Sequence, residues 1–360
     1  MKKVFDTNCL PLLIGSLPMN DHLAATRMVL DYTPEIPLWV QLPQFKEEGM
    51  MAQFIAGMPA VATKGDRLFI DVDSESYDAE FLGFFEEYIE VSDNDELLPD
   101  SRFALHDKSA GGFHAFIEVI RSLDKKPKAL KGQITGPITF CTGVSDHEKQ
   151  AIFYNESLRD AAVKHLAMNA KWQIKILSEF DLPVIIFIDE PALAGYGSSE
   201  FISISREEIA RCLGEVTSAI DSEGGISGIH VCANTDWSLV LESGVDIVNF
   251  DAYSYFDKLA LYPDQIKEFV ENGGILAWGL VPTLKADEIM KETVESLFSS
   301  WLEKSAVLEN MGIDREKIFR QSLITPSCGT GALPLELAES VMALTRDLSE
   351  KIRGGDIQSV

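Results

Sequence analysis

Short apolar runs alternate with amphipathic segments along this chain. Runs that are hydrophobic almost throughout are typical of strands buried on both faces of a parallel sheet. The clearest eight are Leu12–Leu17, Leu38–Leu42, Gly132–Thr135, Val184–Ile188, Gly228–Cys232, Asp246–Phe250, Ile275–Leu280 and Ser322–Thr325. Helical patterns cover Asn155–Phe180, Arg206–Ser222, Tyr262–Asn272 and Ala286–Met311, and the last is long enough for two helices. Because strands and helices alternate, we predict an α/β fold, with a (β/α)₈ TIM barrel as the first choice.

Residues 65–100 do not follow this alternation of strand and helix patterns. It includes the acidic run Ser92–Glu96, which is typical of a solvated loop. We expect one (β/α)₈ barrel over residues 1–360, with residues 65–100 forming an acidic insertion after the second strand region, over one end of the barrel. Further along, Ser205 and Glu208 have the spacing of a capping box, which predicts that a helix begins at Arg206.

Composition narrows the classes of function. The chain of 360 residues has a net charge of −26, which argues against nucleic acid and anionic membranes as partners. No apolar run reaches the roughly 18 residues of a membrane span, and no signal-peptide pattern follows the first residues, so the expected location is the cytoplasm. The five cysteines are too sparse for a disulfide framework and favour free thiols or metal ligands.

His230 and Cys232 are the most informative residues of the sequence. Side chains two residues apart lie on the same face of a strand, and imidazole and thiolate are preferred ligands of Zn²⁺. Cys328 follows the eighth run, and strand ends of a (β/α)₈ barrel meet at the rim where active sites lie. Taken singly, a buried histidine and buried cysteines are commonly structural. Together, the three predict a zinc site with a position open to substrate.

Polar residues also end other predicted strands. Asp251 follows the sixth run, either as a fourth zinc ligand that substrate displaces or as a cap of the next helix. Asp189 and Glu190 follow the fourth run, and paired carboxylates suit recognition of a substrate ammonium; the alternative is a strand end set by Pro191. Ser16 is either a helix N-cap or a donor to a substrate carboxylate.

Five motifs resemble the catalytic domain of cobalamin-independent methionine synthase. That family lies within a superfamily with uroporphyrinogen decarboxylase and the corrinoid-dependent zinc methyltransferases. The motifs occur in the family's order and are Ile14-Gly15-Ser16-Leu17-Pro18, Thr135-Gly136-Pro137-Ile138-Thr139, Ile188-Asp189-Glu190-Pro191-Ala192-Leu193, His230-Val231-Cys232 and Ser327-Cys328-Gly329. The sequence departs from the family in two ways. It is too short to contain the family's second barrel, and it has Trp39–Gln44 where the family has a His-Gly-Glu segment.

This resemblance implies a (β/α)₈ barrel that binds zinc and methylates a thiol. It places Asp251 where the family carries a glutamate ligand. It matches Asp189 to an acid that binds the amino group of homocysteine, and it matches Ile14 and Ser16 to positions that line the homocysteine site. The implied zinc ligands are His230, Cys232 and Cys328, with Asp251 as the fourth.

The expected function is zinc-dependent transfer of a methyl group from a methylcorrinoid or methyltetrahydrofolate to a thiol, first of all homocysteine. The absent second barrel favours the corrinoid, which makes a corrinoid protein a candidate partner. The alternatives are methylation of another thiol such as a coenzyme thiol, a uroporphyrinogen decarboxylase-like barrel that binds a tetrapyrrole or corrinoid, and a decarboxylase with a vestigial metal site. The expected catalytic residues are Asp189, His230, Cys232 and Cys328, and the expected substrate contacts are Ile14, Ser16, Asp189 and Glu190.

Overall fold

A curled parallel sheet forms the centre of the computed structural model, which describes residues 6–197, 201 and 203–355. The strands of the described residues are β1 (Leu10–Pro11), β2 (Val61–Lys64), β3 (Arg67–Ile70), β4 (Leu130–Thr135), β5 (Val184–Asp189), β6 (Ile226–Val231), β7 (Ile247–Phe250), β8 (Ile275–Val281) and β9 (Ser322–Pro326). Seven of them form the sheet in the order β1-β9-β8-β7-β6-β5-β4, and each neighbouring pair is parallel. The architecture is α/β and consistent with a TIM-like fold.

The last six predicted strands are confirmed as β4 to β9, with bounds shifted by a few residues. The first prediction is wrong in its bounds, because the regular strand is Leu10–Pro11 rather than Leu12–Leu17. The second prediction, Leu38–Leu42, is wrong as a regular strand. Single parallel bridges, Ser16 with Gln41 and Leu38 with Lys131, occur there instead.

Residues 38–41, which we call the bridging segment, lie between the continuation of β1 and strand β4. The amide of Gln41 donates to the carbonyl of Gly15 at 3.0 Å, and the amide of Leu17 donates to the carbonyl of Gln41 at 3.0 Å. On the other side, Trp39 donates to the carbonyl of Lys131 at 3.3 Å. The two edges of the seven-stranded sheet are therefore each hydrogen-bonded to this one segment.

Helices connect the strands and cover the outer face of the sheet. Those longer than eight residues are α1 (His22–Tyr32), α3 (Tyr77–Asp93), α4 (Gly111–Arg121), α6 (Glu156–Leu177), α7 (Arg206–Ser222), α10 (Pro263–Glu271), α12 (Val294–Asn310) and α14 (Leu335–Gly354). The shorter ones are α2 (Ala52–Ile55), α5 (Pro137–Gly143), α8 (Trp237–Leu241), α9 (Phe256–Leu259), α11 (Ala286–Lys291) and α13 (Arg315–Arg320).

The four helical predictions are confirmed within a few residues by α6, α7, α10 and the pair α11 and α12. The capping box is also confirmed: the Ser205 hydroxyl accepts from the amide of Glu208, and the Glu208 carboxylate accepts from the amide of Ser205. These contacts fix the start of α7 at Arg206, as the sequence predicts.

Residues 61–100 form a small unit outside the main sheet. Strands β2 and β3 pair as an antiparallel hairpin, and α3 is followed by a 3₁₀ helix over Asp95–Asp100. The loop predicted for the acidic run is wrong, because the run spans the end of α3 and the start of that 3₁₀ helix. Its side chains from Ser92 to Glu96 are nevertheless exposed. The role of residues 65–100 as an insertion stays a prediction. Among the described residues, none of the helices has the length and apolarity to cross a membrane.

The inner face of the sheet changes from apolar to polar along the strands. Alternate residues of neighbouring strands share this face. Its first part is a separate apolar cluster that includes Leu10, Ile185, Phe187, Ile226, Ile247, Ile275, Ala277 and Leu323. Later positions on the same strands carry the buried polar side chains Asp189, His230, Asn249 and Thr325. Polar groups are therefore concentrated toward the carboxyl ends of the strands, where α/β folds place their sites.

Candidate metal centre

Strands β6 and β9 bring one histidine and two cysteines together. His230 is the next-to-last residue of β6, Cys232 follows that strand, and Cys328 lies two residues beyond β9. One ligand atom from each of the three lies within 4.8 Å of the others. His230 is buried and the two cysteines are partly buried. The three residues that the sequence singles out are therefore adjacent, at the carboxyl end of the sheet.

The two nitrogens of the His230 ring have different surroundings. Nδ1 is hydrogen-bonded to Oδ1 of Asn249 on β7. Nε2 is buried and has no hydrogen-bond partner among the described residues. A buried imidazole nitrogen without a partner is costly unless something else satisfies it. A metal ion is such a partner, so the environment of His230 fits a ligand role.

The two thiols differ sharply in acidity. A hydrogen bond from Cys328 and the nearby His230 ring outweigh burial and lower the pKa of Cys232 to about 4. The same hydrogen bond, together with burial, raises the pKa of Cys328 well above its usual range. Burial by itself lowers the pKa of His230, but the Cys232 sulfur and Asp189 outweigh it and raise the pKa. The pair thus holds one thiolate and one thiol, and a thiolate is the form that binds zinc.

Asp189 ends β5 beside the cluster. Its side chain is 7% exposed, and Oδ1 has no hydrogen-bond partner among the described residues. Burial raises the pKa of this carboxyl, while His230 and Lys131 lower it. A buried acceptor without a partner next to a candidate metal centre is suited to contact a cationic or hydrogen-bond-donating ligand.

Lys131 is a fully buried amine that the sequence analysis did not single out. Its Nζ donates to the carbonyl of Ile14 at 2.5 Å and to Oε1 of Gln133 at 3.2 Å, and it lies 4.5 Å from the centre of the Phe187 ring. Burial lowers the pKa of Lys131 to about 8, while Asp189 acts to raise it. No motif marks this residue, because a lysine within an apolar strand pattern is ordinarily assigned to the surface.

Glu190 is adjacent to Asp189 in the sequence, but its side chain is hydrogen-bonded to the start of α5. Its carboxylate accepts from the amides of Ile138 and Thr139 at 2.9 and 2.8 Å, and from the Thr139 hydroxyl at 2.6 Å. These donors lie in the first turn of α5, where backbone amides lack helical partners. Both carboxylate oxygens are therefore engaged by the protein itself, whereas Asp189 keeps a free acceptor.

Asp251 follows β7 and is buried, but it lies outside the group of ligand atoms within 4.8 Å of one another. Its Oδ1 accepts from the amide of Ser254 at 2.8 Å, in the turn that precedes α9. Burial raises the pKa of Asp251, and the hydrogen bond from Ser254 lowers it. This hydrogen bond closes a turn and does not cap the helix, because the N-cap of α9 is Tyr255. The role of Asp251 as a fourth zinc ligand stays a prediction.

Ser16 and Ile14 lie beside Cys328. Both residues line a small cavity that Cys328 and Gly329 also line. The Ser16 hydroxyl accepts from the amide of Gly331 at 3.2 Å, whereas Asp21 caps α1. Ser16 is therefore not a helix N-cap, and its position next to a candidate ligand leaves the substrate-contact alternative standing as a prediction.

Comparisons with known proteins add little to this geometry. The chain matches no family in a scan of sequence families, and it matches no curated protein. One solved structure that resembles it is a B12-independent methionine synthase from Shewanella sp. W3-18-1 in complex with selenomethionine. The two are 17% identical, the TM-score is 0.46, and the match covers 66% of this chain and 67% of that chain. A likeness of this degree assigns neither a family nor an activity.

Proposed function

We propose that this chain is a zinc-dependent S-methyltransferase that moves a methyl group from a methylcorrinoid or methyltetrahydrofolate to a thiol, first of all homocysteine. The observation that carries the proposal is the cluster of His230, Cys232 and Cys328 at the carboxyl end of a parallel sheet. The unpartnered Nε2 of His230 and the acidic thiol of Cys232 suit Zn²⁺. A site with three protein ligands keeps a position for substrate, which structural zinc sites do not.

We propose further that the bridging segment takes the place of the eighth strand in a TIM-like barrel over residues 1–360. Its hydrogen bonds to the continuation of β1 and to β4 support this arrangement. In such a barrel the carboxyl ends of all strands open to one rim, so that Asp189 and the metal ligands share a single pocket. The cytoplasm remains the proposed location.

The protein residues have separate tasks in this proposal. His230, Cys232 and Cys328 would hold the ion, and Asp251 is the candidate for a fourth ligand that substrate would displace. When bound, Zn²⁺ favours the thiolate form of a substrate sulfur. The sulfur would then attack the methyl carbon; the new bond from sulfur to carbon forms as the bond from carbon to the donor breaks, and the donor leaves with that electron pair. The proton of the substrate thiol passes to solvent or, with methyltetrahydrofolate, to the departing nitrogen.

Asp189 supplies the preference for an amino-acid thiol. Its free Oδ1 is an acceptor for the ammonium of homocysteine, and Lys131 keeps a positive charge nearby that favours the carboxylate. Glu190, although adjacent, holds the start of α5 and thereby fixes the backbone that carries Asp189. The unpartnered carboxylate oxygen favours homocysteine over a coenzyme thiol that has no ammonium group.

Metal content tests the first part of the proposal. The wild-type protein should hold about one zinc per chain, and Cys328→Ser should lose most of it, because a hydroxyl is a far weaker zinc ligand than a thiolate. Cys212→Ser is the matched control, since Cys212 is buried outside the cluster. Wild-type protein without zinc, or full zinc retention in Cys328→Ser, would exclude a zinc methyltransferase.

Methyl transfer to two thiols tests the role of Asp189. Asp189→Asn should raise the KM for homocysteine about 10- to 100-fold, the range of one charge-assisted hydrogen bond. The same variant should leave the KM for 3-mercaptopropionate nearly unchanged, because that thiol has no ammonium group. An equal effect on both thiols would contradict the assignment. No turnover with methylcobalamin or methyltetrahydrofolate as donor would favour another thiol or a corrinoid-binding barrel.

A further inference from the structure

We infer that Asn249 is a positioning residue that fixes the proton of the His230 ring on Nδ1 and so directs a bare Nε2 toward the metal. The effect on metal binding rests on the proposed function. The position of the ring proton rests on hydrogen bonds inside the sheet. Asn249 is 1% exposed and lies on β7, in register with His230 on β6.

The orientation of the Asn249 amide is set by a group that can only accept. Nδ2 of Asn249 lies 2.9 Å from the carbonyl oxygen of Ala277 on β8. A backbone carbonyl has no proton to give, so the atom that faces it must be the amide nitrogen. Nδ2 also lies 2.8 Å from the hydroxyl of Thr325 on β9. Both N–H groups of the amide are thereby used, and Oδ1 is the atom left to face His230.

That orientation determines the tautomer of the ring. Oδ1 of an amide is an acceptor, so Nδ1 of His230 must carry the proton that joins them. A neutral imidazole has only one ring proton, which leaves Nε2 with its lone pair exposed. Among the residues that the structure describes, Nε2 is the ring nitrogen with no hydrogen-bond partner. The carbonyl of Ala277 therefore dictates, through Asn249, which nitrogen of His230 is ready to bind a cation.

Asn249 also connects the strands that carry the ligands. Its hydrogen bonds reach β6 through His230, β8 through Ala277 and β9 through Thr325. Strands β6 and β9 are not neighbours in the sheet, yet they supply all three candidate ligands. Thr325 lies three residues before Cys328, so one buried side chain joins both ligand-bearing strands and limits how far they can move apart.

A matched pair of substitutions separates this role from ordinary core packing. Asn249→Leu keeps the size of the side chain but removes the acceptor and both donors. Asn169→Leu is the control, because Asn169 is also 1% exposed and uses its amide to donate to the carbonyl of Phe103 and to accept from Gln173. Both variants should lower the melting temperature of the metal-free protein, since each leaves buried polar groups unpaired.

The readout that distinguishes them is zinc affinity, measured by competition with a chelator. Asn249→Leu should weaken zinc binding about 10- to 100-fold, the range for loss of an outer-shell partner of a histidine ligand. Asn169→Leu should leave the affinity unchanged. Equal affinities of Asn249→Leu and wild type would overturn the inference.

A second measurement depends neither on zinc nor on a substitution of Asn249. In metal-free wild-type protein with ¹⁵N-labelled histidine, at a pH above the titration of the ring, the nitrogen resonances of His230 should show a protonated Nδ1 and a bare Nε2. His230→Gln identifies the signals. A proton on Nε2 would overturn the inference. Should the wild-type protein bind no zinc, the proposed function fails, while this spectrum still decides the role of Asn249.

Discussion

At the scale of single residues, the ability of the candidate site to bind a metal depends on which side chains carry protons. The thiol of Cys328 keeps its proton by donating to the Cys232 thiolate, which is why their pKa values move in opposite directions. Zinc coordination needs both sulfurs as thiolates. Loading the metal must therefore release the proton of Cys328, together with the proton of His230 wherever its raised pKa keeps the ring charged.

This proton release predicts how zinc affinity changes with pH. The pKa of Cys328 is raised, so the thiol is protonated at neutral pH and the competing proton is lost only as the pH rises. The affinity for zinc should increase about tenfold per pH unit for each proton released. Chelator competition between about pH 6.5 and 8.5 measures the slope, and calorimetry in two buffers counts the protons. An affinity that is flat over this range would contradict the assignment of the shared proton.

Glu190 gives a second prediction at this scale. Three donors converge on its carboxylate, and Gln in its place would turn an NH₂ group toward one of them. Glu190→Gln should lower the free energy of unfolding by about 1–3 kcal/mol at neutral pH. Burial raises the pKa of folded Glu190 to about 7, against 4.5 for the free side chain.

The raised pKa of Glu190 determines the direction in which the free energy of unfolding changes with pH. Between pH 4.5 and 7 the folded protein keeps a proton on Glu190 that the unfolded chain has lost, so this residue stabilises the fold more at the lower pH. The gap between wild type and Glu190→Gln should widen as the pH falls from about 7.5 to about 5. Urea unfolding at the two pH values measures the gap, and a gap that narrows would show that the proton is not held there.

The residue scale also shows how far sequence reasoning reaches. The adjacency of His230, Cys232 and Cys328 could be predicted, because it follows from strand alternation and from the convergence of strand ends. The difference between Asp189 and Glu190 could not, since the donors that engage Glu190 lie about fifty residues earlier in the chain. The role of Asn249 was also missed, because a single asparagine in an apolar run carries no spacing signal.

At the scale of elements, helices and strands with a continuous apolar pattern can be predicted from the sequence, whereas strands interrupted or flanked by proline cannot. Helix α7 has a capping box and a clear apolar face, so local signals were sufficient. The bridging segment is flanked by Pro37 and Pro43, and β1 contains Pro11. Proline has no amide proton for a ladder, which restricts these stretches to single bridges and a two-residue strand. The apolar pattern indicates burial there but not regular pairing.

A glycine pair tests the packing of the bridging segment. A Cβ on Gly112, in the first turn of α4, would lie 1.9 Å from the carbonyl oxygen of Val40. Because that oxygen belongs to the backbone, Gly112→Ala must push α4 and the segment apart, and it should destabilise the fold by about 1–3 kcal/mol. Gly83→Ala in α3 is the control. Its Cβ would meet nothing within 4 Å, so it should be neutral or stabilise by about 0.5–1 kcal/mol.

Thermal and urea unfolding of both glycine variants measures the contrast. If Gly112→Ala proved as stable as Gly83→Ala, the close contact between α4 and the bridging segment would be wrong.

At the scale of the whole molecule, the charge of −26 is the dominant electrostatic feature. Several of its ion pairs, such as that of Lys46 with Asp66, are exposed at the surface, where each contributes little and is screened by salt. The general repulsion between carboxylates should therefore outweigh them. We expect the free energy of unfolding by urea to rise as NaCl increases from about 0.05 to 0.5 M. A fall over that range would show that the surface ion pairs matter more than the repulsion.

The pairing of β1 with β9 has a consequence for the order of assembly. Leu10 pairs with Leu323, so this contact closes a loop of nearly the whole chain, and such distant contacts form slowly. Cys328 lies two residues beyond β9 and joins His230 only once that strand is in place. On a ribosome, the last ligand emerges when most of the sheet has already been synthesised. Metal capture would then be a late event, and it would mark chains in which β9 has joined the sheet.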